Sequence, residues 1–471
     1  METFCIAVGI LGLMFFAYRG WSIILIAPIF ACIAGIFSIY GILPTYTELY
    51  MTRFAEYTKT YYPVFLFGAV FARLMEKGGL ASSIAEAIIK ILGEKRAILS
   101  VILGCMALTY GGLSVFVVAF VMYPFGAELF RKADIPKKLL PATLCMGIFT
   151  SAMVALPGSP QIQNIIPSSY FGTTTWAAPI IGIFATVLFM GEALSWLLYR
   201  AITLKKKGEG YGETADSRRR RDRTLPPALL AASPLVMIIV VNIILSNPFN
   251  WSWGFHWDDT SLDPFLPFNL SLIAGSVGKV QAIWSISVAL ILGSLLAAYI
   301  GRRKFKNGGE RYIDNINYGA ATSCAAVLNV SSGFAFGSVL VSLPGFLPIT
   351  DMLISLGQSA GPLVSATVTT NVMGAITGSA SGGMTIALNL LGKEWLDMAI
   401  AQNIPPEVLH RIVSIASVGI DPVPHNGALV TLLSICALTH RVAYFDIVVL
   451  MAMKFFIPYL CVAFYLVTGL V

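Results

Sequence analysis

Leu156-Pro157-Gly158-Ser159-Pro160-Gln161 interrupts one long apolar stretch, and Asp421-Pro422-Val423-Pro424-His425-Asn426-Gly427 interrupts another. Each is preceded by a shorter, glycine-rich break. Thr109-Tyr110-Gly111-Gly112-Leu113-Ser114 comes before the first and Gly378-Ser379-Ala380-Ser381-Gly382-Gly383 before the second. Broken backbone at membrane depth is tolerated only where protein buries it or where it lines a cavity. Breaks at matching places in two halves of a chain point to a transport site near the midplane.

The composition sets the same frame. Of 471 residues, 57% are hydrophobic and 12% charged, about half the charged share of a soluble domain. The apolar runs are continuous rather than alternating, which excludes an outer-membrane barrel. The chain reads as an all-α polytopic membrane protein in the lipid bilayer. Residues 2–17 carry no basic leader or small-residue cleavage site and read as a retained span. The net charge of +7 does not signal nucleic acid. Its basic residues cluster at 200–223 and 301–311, between spans, where the positive-inside bias puts them. Seven cysteines lie in apolar segments without metal-ligand spacing and read as small buried hydrophobes.

Spans are predicted near 2–17, 21–43, 61–78, 139–167, 176–199, 228–246, 282–300, 315–342, 408–439 and 443–466, from the roughly 20 apolar residues a crossing helix needs. With the basic loops cytoplasmic, the tryptophan-rich loop 247–281 and both termini fall outside. The stretch 97–130 is flanked by Lys95-Arg96 and Arg131-Lys132. Both flanks then belong inside, which predicts a re-entrant hairpin with its tip at Gly111-Gly112. A second hairpin over 362–391 has both ends outside, so the two enter from opposite faces.

An internal repeat supports this plan. Phe65-Leu66-Phe67-Gly68-Ala69-Val70 recurs as Phe334-Ala335-Phe336-Gly337-Ser338-Val339, and each copy precedes a hairpin and then a proline-broken span. Five spans per half is an odd number, so the halves, 1–199 and 228–471, are predicted to be inverted repeats joined by a cytosolic basic linker at 200–227.

A helix stopped at mid-membrane leaves N–H groups unsatisfied at one end and carbonyls at the other. N-termini favour an anion, and unwound carbonyls hold a cation. Ser159 and Asp421 are expected to cap the helices resuming after each break, with proline in the first turn. Gln161, Asn164 and Asn426 offer donors to a substrate. Thr109, Gly111, Gly112 and Ser114 at one tip, with Ser379, Ser381 and Gly382 at the other, complete the expected substrate site. Asp421, His425 and Glu192 are the expected proton-coupling residues, since ionisable groups inside spans are costly and rare and histidine titrates near neutrality. Lys454 needs a partner that the sequence does not name. The expected cavity holds no lysine or arginine, which favours a monocarboxylate over a polyanion. No metal, cofactor, nucleotide or catalytic pattern is present, so an enzyme is not expected; an anion channel is the rival class.

Tyr110–Val118, Ile135-Pro136-Lys137, Leu156–Pro167 and Phe171–Pro179 together resemble the gluconate permease family of the ion transporter superfamily. The resemblance implies an inner-membrane symporter taking up a small hydroxylated carboxylate with H+, sodium being the alternative ion. It also implies a homodimer and an elevator motion. The block Gly378–Met384, with Leu409-His410-Arg411 and Asp421–Ala428, is more similar to the 3-hydroxybutyrate permease branch. D-3-hydroxybutyrate is therefore the expected substrate, with gluconate or another aldonate as the alternative.

Overall fold

The computed structural model describes residues 2–471 except 20, 37–39, 94–95, 213–224, 269–271, 308–310 and 425. Among these the regular structure is helical throughout. The first half opens with α1 (Glu2–Tyr18) and α2 (Ile23–Ala34). A short turn, α3 (Ile42–Pro44), then runs through a π-helical stretch, Thr45–Tyr50, into α4 (Met51–Lys77). Next come α5 (Leu80–Leu92) and a hairpin of α6 (Ala97–Tyr110) and α7 (Val115–Lys132). A broken span follows as α8 (Leu140–Ile148), α9 (Ser151–Val154) and α10 (Ile162–Phe171), and α11 (Pro179–Lys206) closes the half.

The second half repeats the order. After α12 (Ala228–Ser246) and α13 (Gln281–Asn307) come the long α14 (Tyr312–Ser342) and the short α15 (Leu347–Ala360). The hairpin is α16 (Pro362–Thr377) and α17 (Ala380–Ala401), and the broken span is α18 (Pro406–Ala416) and α19 (Gly427–Ile435). The half ends in α20 (His440–Lys454) and α21 (Ile457–Thr468). The predicted single span 443–466 is thus parted at Phe455-Phe456, where Pro458 sits in the first turn of a new helix. The pair α5 and α15, one before each hairpin, is absent from the sequence prediction. Their apolar residues follow a helical stripe and not a continuous run, so they escape a search for spans.

Local chemistry explains both hairpin tips. Gly112 has φ +86° and Gly378 φ +59°, a left-handed backbone that glycine adopts without Cβ strain. Ser114 then accepts from the Val117 amide and Ser379 from the Gly382 amide, capping the second arm of each hairpin.

Packing interleaves the halves. The repeated Phe-x-Phe-Gly segments lie on α4 and α14, which pack along each other. Gly319 permits that approach, since a Cβ there would lie 2.9 Å from the Val70 Cα. Helix α2 lies on α14, and α13 lies on α4. The first part of each broken span packs on its own hairpin, α8 on α6 and α18 on α16. The second part packs on the opposite hairpin, α10 on α17 and α19 on α7. The Tyr170 hydroxyl, for example, donates to Asn389 Oδ1 at 2.7 Å.

Of the predicted linker, residues up to Lys206 continue α11. Glu209 pairs with Lys138, and the Tyr211 amide donates to Asp134. Residues 213–224 lie outside the described residues.

Candidate functional site

The first hairpin tip sits directly on the first break. The Tyr110 hydroxyl donates to the Pro157 carbonyl at 2.6 Å. Gln161 Nε2 donates to the Thr109 carbonyl at 2.7 Å and the Leu113 carbonyl at 3.1 Å. A Cβ on Gly112 would lie 3.2 Å from Pro160. Gly111 faces elsewhere, onto Leu235 of α12. Thr109 is buried and among the described residues its hydroxyl has no hydrogen-bond partner, as is also true of Ser151 Oγ and Trp176 Nε1 beside the break.

Two expected roles change here. Ser159 does not cap α10, because its hydroxyl donates back to the Ala152 carbonyl at 2.5 Å. Gln161 occupies the cap position without a side-chain cap bond. Asn164 is likewise engaged by the protein, donating to the Ser159 carbonyl (2.9 Å) and the Thr175 carbonyl (2.8 Å). The amide donors of Gln161 and Asn164 therefore hold the break together. A broken helix leaves carbonyls without partners, and burial makes those costly.

The largest departure is Arg411. The cavity was expected to hold no lysine or arginine, yet the fully buried Arg411 of α18 reaches across to the first break. Its Nε donates to the Ala177 carbonyl (2.9 Å), Nη1 to the Val154 carbonyl (2.9 Å) and Asn164 Oδ1 (2.8 Å), and Nη2 to the Thr175 (3.3 Å) and Ala177 (2.6 Å) carbonyls. Its neighbour His410 meets Thr173 Oγ1 at 2.6 Å through Nδ1 and Asn164 Oδ1 at 3.4 Å through Nε2. Second-half residues thus complete the first break. The available signal was two charged-type residues, His410-Arg411, inside an apolar stretch.

At the second break, hairpin 2 makes the matching contact. Gly419 is held so close to Asn371 of α16 that a Cβ would come 1.9 Å from Asn371 Oδ1. Asn371 Oδ1 and the hydroxyls of Thr369 and Thr370 are buried without partners among the described residues, a polar group that sequence reading missed. Ser379 and Gly382 form the α17 cap described above, and the buried Ser381 accepts from Thr385 through its carbonyl. Asp421 does not cap α19. Asn426 does, accepting from the Ala428 and Leu429 amides at 2.8 and 3.0 Å while donating to the Asp421 carbonyl at 2.9 Å.

The Asp421 carboxylate instead receives the Lys454 ammonium at 2.9 Å. Lys454 thereby gains the partner the sequence left unnamed. Glu192 of α11 is buried close to Lys454, and among the described residues neither of its carboxyl oxygens has a side-chain hydrogen-bond partner. Two carboxyls and one lysine therefore share this end of the second break, beside a small pocket lined by Cys145, Phe149, Pro422, Ile447, Leu450 and Lys454. His425 lies outside the described residues.

Known proteins place this architecture. A sequence model of the GntP family permeases matches residues 60–420. The chain is 38% identical over 484 residues to an uncharacterized transporter, YxjC, of Bacillus subtilis (strain 168), with 100% of both chains covered. Its fold is similar to the crystal structure of the Alcanivorax borkumensis YdaH transporter, described as having an unusual topology. The TM-score there is 0.58, over 92% of this chain and 90% of that one, at 14% identity, a likeness of fold alone.

Proposed function

The chain is a member of the GntP permease family, a transporter and not an enzyme, and we propose that it imports a small hydroxy-monocarboxylate by proton symport. The observation carrying this reading is the seating of each hairpin on a broken span, with the buried Arg411 of α18 joining the second broken span to the first break. Lys454 is neutralised by Asp421, whereas among the described residues Arg411 faces only neutral oxygens. While Glu192 is protonated, Arg411, Lys454 and Asp421 leave one net positive charge, which suits one carboxylate, so the preference for a monoanion stands on a different basis from the absence of cations. Glu192 and Asp421, both close to Lys454, are the proton carriers in this reading.

We read the halves as inverted repeats. The recurring element order and the reciprocal packing of α2 on α14 and α13 on α4 support this. An odd number of crossings per half then makes the two hairpins enter from opposite faces. D-3-hydroxybutyrate is the proposed substrate, on the residues Gly378–Met384 and Asp421–Ala428. Gluconate is the second reading, on the first tip and break, whose residues carry the family's shared pattern.

Uptake into proteoliposomes, with proton and sodium gradients imposed separately, tests both points. Saturable accumulation of hydroxybutyrate driven by a pH gradient is expected. Accumulation of gluconate alone transfers the substrate assignment, and a strict sodium requirement overturns proton coupling. Flux that lacks counterflow acceleration would favour an anion channel.

A further inference from the structure

Arg411 does something that the neighbouring amides do not. All five N–H donors of its guanidinium are occupied by Val154, Asn164, Thr175 and Ala177 oxygens. Close by, neutral amides satisfy carbonyls equally well. Gln161 serves two carbonyls of the hairpin tip, and Asn164 serves those of Ser159 and Thr175. Hydrogen bonding alone therefore does not require a guanidinium here, and burying one is far costlier than burying an amide. What the guanidinium adds is charge.

That charge is not cancelled. Among the described residues no carboxylate pairs with Arg411, while the other deeply buried cation, Lys454, pairs with Asp421. The oxygens it gathers are an unwound-helix carbonyl and loop carbonyls, the type of group that holds a coupling cation where helices break in a membrane. The fit is close. A Cβ added to Gly182 of α11 would lie 2.2 Å from the Ala155 carbonyl and 3.4 Å from Arg411 Nε.

We propose that Arg411 is a resident cation of the first break: it occupies the carbonyl nest in place of a metal ion and supplies the fixed positive charge that draws the substrate carboxylate to the first hairpin tip. Arg411 acts without touching the substrate, so it is a positioning residue. The inference rests on the reading of the protein as a carboxylate transporter.

The test uses the full chain in proteoliposomes under counterflow, where no proton gradient drives the flux. Wild type, Arg411→Lys and Arg411→Gln are compared with 3-hydroxybutyrate and gluconate, using the corresponding amides as neutral competitors. Arg411→Gln is expected to raise KM by about tenfold or more, with a smaller change in maximal rate, and to weaken the preference for carboxylate over amide. Arg411→Lys is expected to keep KM within about threefold of wild type, because it retains the charge. A Gln variant with wild-type KM and preference overturns the proposal. So does a folded Lys variant as impaired as Gln, because position and not charge would then matter. Should Arg411→Gln fail to fold, wild type still decides: counterflow is expected to be unchanged when choline replaces sodium, and a sodium requirement overturns the resident-cation role. If wild type exchanges neither hydroxy acid, the transport reading fails instead.

Discussion

Lys454 and Asp421 meet at 2.9 Å between the last span and the second break, with 3% and 2% of their side chains exposed. Neither charge has water to fall back on, so each depends on the other. Removing one partner of such a pair costs about 3–5 kcal/mol, whereas replacing both with apolar groups is often neutral. Asp421→Asn and Lys454→Met are each expected to lower thermal stability in detergent strongly, and Asp421→Leu with Lys454→Met to recover much of it. Independent, additive losses would show that the two side chains do not act as a pair.

Glu192 separates coupling from folding. Among the described residues no side chain hydrogen-bonds its carboxyl oxygens, so Glu192→Gln removes a titrating group at nearly constant volume. The variant is expected to keep substrate counterflow and to lose accumulation driven by a pH gradient. Retained concentrative uptake would remove Glu192 from the proton path.

Neighbouring glycines of the second hairpin should respond oppositely. A Cβ on Gly383 would lie 2.3 Å from the Gly374 backbone nitrogen, with no side chain able to yield. Gly383→Ala is expected to cost about 1–3 kcal/mol or more by prising the hairpin arms apart. Gly382 meets mainly the Ser379 side chain, at 3.2 Å, so Gly382→Ala should be tolerated. Thermal unfolding of both purified variants checks the contrast, and equal losses would contradict it.

Gln161 ties the first hairpin tip to the first break through two hydrogen bonds. Gln161→Ala is expected to cost about 1–3 kcal/mol for the pair. It should also speed proteolysis at the 110–114 tip, measured by limited digestion with mass spectrometry. An unchanged cleavage pattern would show that the tip is held by other contacts.

Hairpins and broken spans were legible because their causes are local. Glycine with positive φ turns each tip, and Ser114, Ser379 and Asn426 restart helices by capping amides two or three residues ahead. The capping logic also misled. Ser159 and Asp421 have the right chemistry for a cap, but Ser159 binds a carbonyl behind it and Asp421 binds Lys454. A side chain with two available partners is assigned by position in space, which local sequence does not encode. The helices α5 and α15 were missed for the opposite reason, since their apolar stripe is too narrow to register as a span.

The amino-acid sequence by itself determined the class, the two hairpins and the two breaks, because backbone strain and hydrophobic length act over a few residues or a single helix. Only the tertiary structure decided how the breaks are completed. Arg411 serves carbonyls more than 230 positions earlier in the chain, and Lys454 lies 33 residues beyond Asp421. Buried charges must find partners wherever packing brings them, so their pairing belongs to the fold and not to any motif.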